Sequence, residues 1–576
     1  MSHCAFLYVS DKMKVDVQPP SGCSPSTFPP SYSAMAVTTA DAQKGSPIEE
    51  KSSYDQHDSK SSDVDVHAQS LSYKEAGVSG KPKLPYRWQF AIIILTCLCT
   101  FGNHWSNVAI TNLVNTFLCV ALGFCIDKWG GTSLSVILAG FHLSGSMVMS
   151  GAATNNLNSY PLLIVGKVLA AIGDGSLDNA QHRIFATYFG PGRGFAFSIG
   201  AIWGIANLAQ FTGQSTSNII TRNLGSYAFA LWISASIALF SFLCAVTVFF
   251  LDRYLRRTYD ITDQTSGKRH VGQVKSGAFS LKAIRHLPLT FWLVVLFAIF
   301  ENAGVQSFVS ISTQFAQQRL KKGAVIGGWV SSFYLLLPAC LTPFLGIYID
   351  VYGQRVGFLL LSGVTFLISM LLLKFSHTVP SFVAAYVFYA LSQSVTPAPQ
   401  VEIIRSIIPD PRYFATGFAI KKSVVQASIV IITTAAGKLQ DDTASDSLDP
   451  AVTLWLVYAF LSVAVSGTLL ALSYLAPTIL PAARLSQIAP RALPAEVDRL
   501  CQIKGIAVSK ETEDVNEVDE VVLKEKLLKA PYPGREGVRW LFLIVSVAII
   551  FIGWIMFGLG VGWGVHGSVI AGTVGE

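Results

Sequence analysis

The stretch G-F-C-I-D-K-W-G-G-T, Gly123–Thr132, closes one apolar run and opens the next, with Asp127 and Lys128 side by side at the turn. G-I-Y-I-D-V-Y-G-Q-R, Gly346–Arg355, does the same in the second half of the chain. A charged, glycine-flanked turn that returns between apolar runs reads as an internal duplication. An aspartate ending an apolar helix at a membrane interface is costly unless it meets donors or a cation. Its own helix C-terminus is a poor neighbour for negative charge, whereas another helix's N-terminus suits it. Asp127 and Asp350 are therefore expected each to cap a helix in the opposite half. Gly123 and Gly346, one turn earlier, leave room for that helix to approach. The pair reads as a latch that holds one side shut and opens in another state. Its candidate residues are Gly123, Asp127, Lys128, Gly130, Gly346, Asp350, Gly353 and Arg355.

Composition agrees with a membrane protein. The chain is 51% hydrophobic and 13% charged, with a mean hydropathy of +0.48, where soluble proteins carry about 25% charged residues. The apolar runs are about 17–25 residues long, enough to cross a bilayer as helix. They fall near 88–103, 107–126, 133–153, 161–182, 194–217, 227–251, 288–313, 325–349, 356–375, 380–402, 413–437 and 451–475. A basic loop, 252–287, divides them six and six. The expected fold class is all-α and integral to the membrane, with bundles at 85–251 and 288–475. On that count Asp127 should cap span eleven near Arg412–Thr416, and Asp350 should cap span five near Arg193.

Residues 1–84 read as a disordered tail, 476–537 as a polar segment, and 538–564 as an additional crossing helix. The first run is short, and only Asn103–Ser106 separate it from the second, as though a piece near Asn103–Val108 were missing.

The net charge of +7 comes mostly from Lys and Arg between runs. There they set topology and place the N-terminus in the cytosol, so no nucleic-acid partner is expected. Six of the nine cysteines, Cys97, Cys99, Cys119, Cys125, Cys244 and Cys340, lie inside apolar runs and read as small buried hydrophobes.

Polar residues inside spans are the candidates for work, because intramembrane charges face a cavity or a partner by default. In span four, Asp174, Asp178 and Gln181 are spaced to share one helix face. Span five offers Asn207, Gln210 and Gln214. Glu301, with Asn302 and Gln306, sits mid-span in span seven and is the deepest lone acid, a type of group that relays protons or binds amines. Lys421 and Lys422 lie a third of the way into span eleven, one expected to snorkel outward and the other to point inward. Glu402 and Arg405 read as a local pair. Prolines 338, 343, 397 and 399 are expected to bend spans eight and ten. The substrate or proton pathway is thus assigned to Asp174, Asp178, Gln181, Asn207, Gln210, Glu301, Gln306, Lys421 and Lys422.

The metalloprotease, phosphate-binding-loop and nucleophile-elbow patterns are absent. No enzyme activity, cofactor or metal is expected. The partners are a small-molecule substrate and the lipid bilayer, and the sequence carries no statement of oligomeric state.

The duplicated turn, the six-plus-six division and the basic central loop resemble the major facilitator superfamily, whose signature between spans is G-x-x-x-D-[RK]-x-G-x-[RK]. Thr132 replaces the final basic residue in the first copy and Val351 the first basic residue in the second. Within the superfamily the chain is most similar to the lysosomal dipeptide transporter-like branch, through Arg87-Trp88, Phe101-Gly102, Gly166–Gln181 and Tyr389–Ala419. The resemblance implies two six-helix bundles and transport by alternating access, as a uniporter or coupled to protons. It implies dipeptides or amino-acid-like zwitterions as cargo, and a lysosomal or vacuolar membrane ahead of the plasma membrane. It also allows for an accessory membrane subunit. Branch members carry an acid where Gly175 stands here, an arginine where Asn207 stands, and usually an arginine at Lys167. Those departures keep two alternatives open: an organic-anion facilitator, and a non-transporting receptor or scaffold that signals through its tails.

Overall fold

The computed structural model describes residues 82, 84–105, 111–154, 159–189, 194–259, 261, 284, 287–320, 332–376, 378–408, 413–443, 448–506, 527–528 and 536–573. The expected tail 1–84 lies almost wholly outside these residues. So do most of the central loop, the basic ends at Arg193 and Arg412, and the charged part of the 476–537 segment. The described helices all belong to one unit, which holds Lys81–Glu576.

The described residues form helices and no strands. Span one is Tyr86–Cys99 with Phe101–Trp105, and span two is Thr111–Trp129. Span three is Gly131–Ala152, and span four is Tyr160–Asp174 with Leu177–Tyr188. Spans five and six are Phe195–Leu224 and Tyr227–Thr258. The second half follows with Leu289–Leu320, Leu336–Tyr352, Arg355–Phe375, Val379–Val395 with Pro397–Ile407, Phe414–Asp441 and Asp449–Leu475 as spans seven to twelve. Eight described helices are each long and apolar enough to cross a membrane alone, among them Trp540–Trp563 near the C-terminus. That stretch belongs to Glu536–Thr573, which we call the thirteenth helix because it follows the twelve spans; the short helices Pro481–Gln487 and Leu493–Ile503 lie between.

Spans one, four and ten are each interrupted, with a local cause at each break. Span one pauses at Thr100, whose hydroxyl donates to the Cys97 carbonyl at 3.2 Å. It then continues to Trp105 and so reaches further than the 88–103 read from hydropathy, which stopped before His104. Of the stretch Asn103–Val108, read as missing a piece, Asn103–Trp105 are helical and 106–108 lie outside the described residues. Span four breaks at Gly175-Ser176, where Ser176 leaves helical geometry. Span ten breaks between Thr396 and Pro397, where Thr396 keeps helical dihedrals but Pro397 has no N–H to continue the helical ladder. Pro343 lies within span eight.

The halves meet along two seams. Span five packs along span eight, and span two along span eleven. Beside the two charged turns, a shared apolar core runs across both halves and includes Phe185, Phe195, Phe291, Ile403, Phe414 and Phe418. We call this the latch side. A second core, built on Phe308, Tyr389 and Trp455, lies within the second half.

Candidate functional site

The first turn closes onto span eleven. Asp127 Oδ1 accepts from the Ala415 amide at 3.1 Å, and Oδ2 accepts from the Thr416 amide at 2.8 Å and the Thr416 hydroxyl at 2.7 Å. These amides open span eleven, so the carboxylate sits on a helix N-terminus with unpaired donors and a favourable dipole. A Cβ on Gly123 would lie 2.4 Å from Ala419 Cβ, so only glycine permits this approach. Lys128 is exposed. Gly130 turns the chain into span three at φ +89°.

The second turn closes onto span five in the same manner. Asp350 accepts from the Ala196 amide at 3.3 Å and the Phe197 amide at 2.9 Å, and a Cβ on Gly346 would meet the Ala196 carbonyl at 2.4 Å. Gly353 lies at φ +75°. Arg355 reaches Glu402 Oε1 at 3.2 Å, with both side chains at most 5% exposed. Glu402 thus pairs with span nine, and not with Arg405 as its spacing suggested. Arg405 instead donates across to the other half, to the Phe189 carbonyl at 2.7 Å and the Ala186 carbonyl at 3.3 Å. Its guanidinium also lies 4.0 Å from the Phe195 ring centre. A cation on the carbonyls ending span four is favoured by that helix's dipole.

Deeper in, a second set of charges lies along the interface. Lys422 donates to Asp178 Oδ2 at 3.0 Å, joining span eleven to span four across the halves. His104 Nε2 lies 3.8 Å from Asp178 Oδ1. Asn103 donates to Asp174 at 3.2 Å. Glu301, 1% exposed, has Oε1 within 2.8 Å of Ser362, 3.1 Å of Ser392 and 2.6 Å of Thr396. The Asn302 and Gln400 amides face each other at 2.8 and 3.0 Å. Asn302 fits its neighbours with its nitrogen 2.5 Å from Glu301 Oε2 and its oxygen 2.9 Å from Lys421 Nζ. Both lysines therefore point inward, and the outward snorkel expected of one is not adopted, because each finds a polar partner inside.

Not every candidate joins this group. Gln181 is fully buried and donates to the Thr96 carbonyl at 3.0 Å, which ties span four to span one. The expected single face with Asp174 and Asp178 is broken because the helix stops between them. Asn207 donates to its own helix at Trp203, 2.7 Å away. Gln210 and Gln306 are half-buried. At Gly175 a Cβ would lie 2.1 Å from Asn115 Oδ1, so an acid does not fit there in this packing. Ser362, Ser392, Thr396, Gln400, Asn103 and His104 were missed in the sequence, where single hydroxyls and amides in apolar runs carry no periodic signal.

Two bundles joined along spans two–eleven and five–eight, each seam closed by a capped turn, give the chain a fold of the major facilitator type. The family model described as Major Facilitator Superfamily matches residues 307–575. The chain is 24% identical over 337 residues to the lysosomal dipeptide transporter MFSD1 of Danio rerio, covering 57% of this chain and 70% of that one. It is 22% identical over 377 residues to its Gallus gallus counterpart, covering 62% and 80%. Among solved structures, the proton:xylose symporter XylE aligns with a TM-score of 0.53 at 11% identity, over 68% of this chain and 97% of XylE. At that identity the likeness is one of fold.

Proposed function

We propose that this chain is a secondary transporter of a small zwitterionic solute, of the dipeptide or amino-acid type, bound between the halves and passed by alternating access. The observation that carries the reading is the Asp178–Lys422 pair, opposite charges contributed by opposite halves. A solute with an ammonium and a carboxylate can take the place of each partner's counter-ion, the carboxylate on Lys422 and the ammonium on Asp178. The exchange avoids leaving either charge unpaired inside the membrane, which is expensive. Glu301, held by three hydroxyls next to Asn302 and Lys421, is the proposed proton-responsive group. The two capped turns form the latch, on a side we assign to the cytosol together with the N-terminus. The relatives' names support a lysosomal membrane.

A thermal-shift screen of the purified chain against dipeptides, amino acids, organic anions and sugars tests the substrate class, since a ligand of the folded state raises apparent stability. Stabilisation by zwitterions that disappears in Lys422→Ala is the expected result. Stabilisation by organic anions alone would replace this reading with the anion facilitator. In proteoliposomes, Glu301→Gln should abolish uptake or its pH dependence, and unchanged pH-dependent uptake removes Glu301 from the role. The receptor alternative draws on Gly175 and Asn207, which stand where the branch carries charges. A chain lacking residues 1–80 keeps its flux if it is a transporter.

A further inference from the structure

The thirteenth helix stands outside the two six-span bundles and leans against one side of them. It packs on spans eleven, seven and two. On span eleven the contact is close and parallel. A Cβ on Gly553 would lie 3.2 Å from Ala427 Cβ, one on Gly560 would lie 2.9 Å from Thr434 Cγ2, and Lys438 Nζ lies 5.6 Å from the Trp563 ring centre. Small residues that let two helices touch over successive turns are a main source of helix association in lipid. On span two the contact is polar and aromatic. Trp554 Nε1 donates to Thr116 Oγ1 at 2.8 Å, and its ring lies 5.3 Å from that of Phe117.

Spans two and eleven belong to opposite halves. They are tied at their latch-side ends by Asp127 and further along by the Ser423 hydroxyl, which donates to the Thr116 carbonyl. Thr116 is thus held from both sides of the seam, by span eleven through its carbonyl and by the thirteenth helix through its hydroxyl. Rocking of the halves must slide or part span two against span eleven. A helix anchored on one and bonded to the other resists that motion.

We propose that the thirteenth helix is a strut across the two–eleven seam that biases the protein toward the latch-closed state, with Trp554 as its contact on the moving half. The idea rests on the latch reading of the two turns but needs no statement about cargo. Its effect is set by one interhelical hydrogen bond and one aromatic contact. A bond of this kind in a membrane, at about 0.6 kcal/mol on average, corresponds to about a threefold shift in the closed-to-open ratio.

Hydrogen exchange at the Ala415 and Thr416 amides, which Asp127 holds, reports latch opening directly. In the full-length purified chain, Trp554→Phe keeps the ring and removes the N–H, and should raise exchange at these amides about threefold. Thr116→Val should do the same, and the double variant should add nothing further. Gly553→Leu, which pushes the helix off Ala427, should raise exchange more. The Ala196 and Phe197 amides at the other turn should follow, because both latches open in one motion. If exchange rises only within residues 546–558, or if the two single variants add independently, the strut is wrong. The latch reading fails separately, if Asp127→Asn leaves exchange at Ala415 and Thr416 unchanged.

Discussion

The two turns make the same contact and are braced in different ways. In each, an aspartate caps the first amides of a helix from the other half, and a glycine one turn earlier lets that helix close in. Around the first turn the bracing is light. Thr132 offers a hydroxyl to Asp252 at 3.2 Å, and Asp252 has already found Tyr188 at 2.5 Å and Arg256 at 3.0 Å. Around the second it is heavy. Arg355 is buried against Glu402, and the chain after span twelve folds back to finish the turn. Gln487 Oε1 accepts from the Val356 and Gly357 amides at 3.1 and 3.2 Å, its carbonyl accepts from the Gln354 amide at 3.1 Å, and the Ile488 carbonyl would meet a Cβ on Gly353 at 2.5 Å. A duplicated motif thus preserves the contact that both halves need, while its surroundings drift to whatever each half supplies. Asp252 has Tyr188 and Arg256 beside it and does not depend on Thr132, whereas Glu402 is paired with Arg355.

The largest expected effect exploits that dependence. Arg355→Ala leaves Glu402 charged and buried, a change that costs about 3–5 kcal/mol where one partner of a buried pair is removed. Unfolding in detergent micelles should show it as a clear loss of stability. The double variant Arg355→Leu with Glu402→Leu should recover most of it, because the cost lies in the unpaired charge. A double variant as unstable as the single one would mean that the pair fixes geometry which apolar packing does not replace.

Next come the glycines. Valine at Gly346 would drive a methyl-bearing carbon into the Ala196 carbonyl, which is backbone and has no rotamer to escape to. Valine at Gly123 would meet the Ala419 methyl. Overpacking of this sort costs about 1–3 kcal/mol, here charged against the latch-closed state. Both variants should fold, show raised exchange at the capped amides and lose most uptake, with Gly346→Val the more severe. Equal, wild-type exchange in both would remove the close approach from the mechanism.

Much of this was legible in the sequence because the turn concentrates its information. Aspartate, glycine and a basic residue at fixed spacing name both the cap and the approach, and the partner helices follow from the duplication. Glu301 and Lys422 were legible as charges out of place in apolar runs. Their partners were not, since Ser362, Ser392 and Thr396 look like ordinary small residues until spans nine and ten are brought against span seven. Glu402 was misread for a related reason. Spacing along one helix suggested Arg405, whereas tertiary packing brought Arg355 closer and freed Arg405 to reach the other half. The break at Gly175-Ser176 was hidden because a glycine and a serine within an apolar run carry no strong stop signal.

Smaller effects separate the bracing of the two turns. Gln487→Ala removes an acceptor from two amides at the start of span nine, and the loss of a buried hydrogen bond is worth about 1 kcal/mol. It should fray the start of span nine locally, raising exchange at Val356 and Gly357 while the capped amides of both turns, at Ala196 and Ala415, stay as they were. Thr132→Val removes the matching support at the first turn and should cost about 0.5 kcal/mol, because Asp252 keeps both Tyr188 and Arg256. Only when Arg256→Gln is added does Asp252 lose its cation, and the pair of changes should then cost more than the sum of the single ones. Additive costs would mean that Thr132 and Arg256 do not share Asp252.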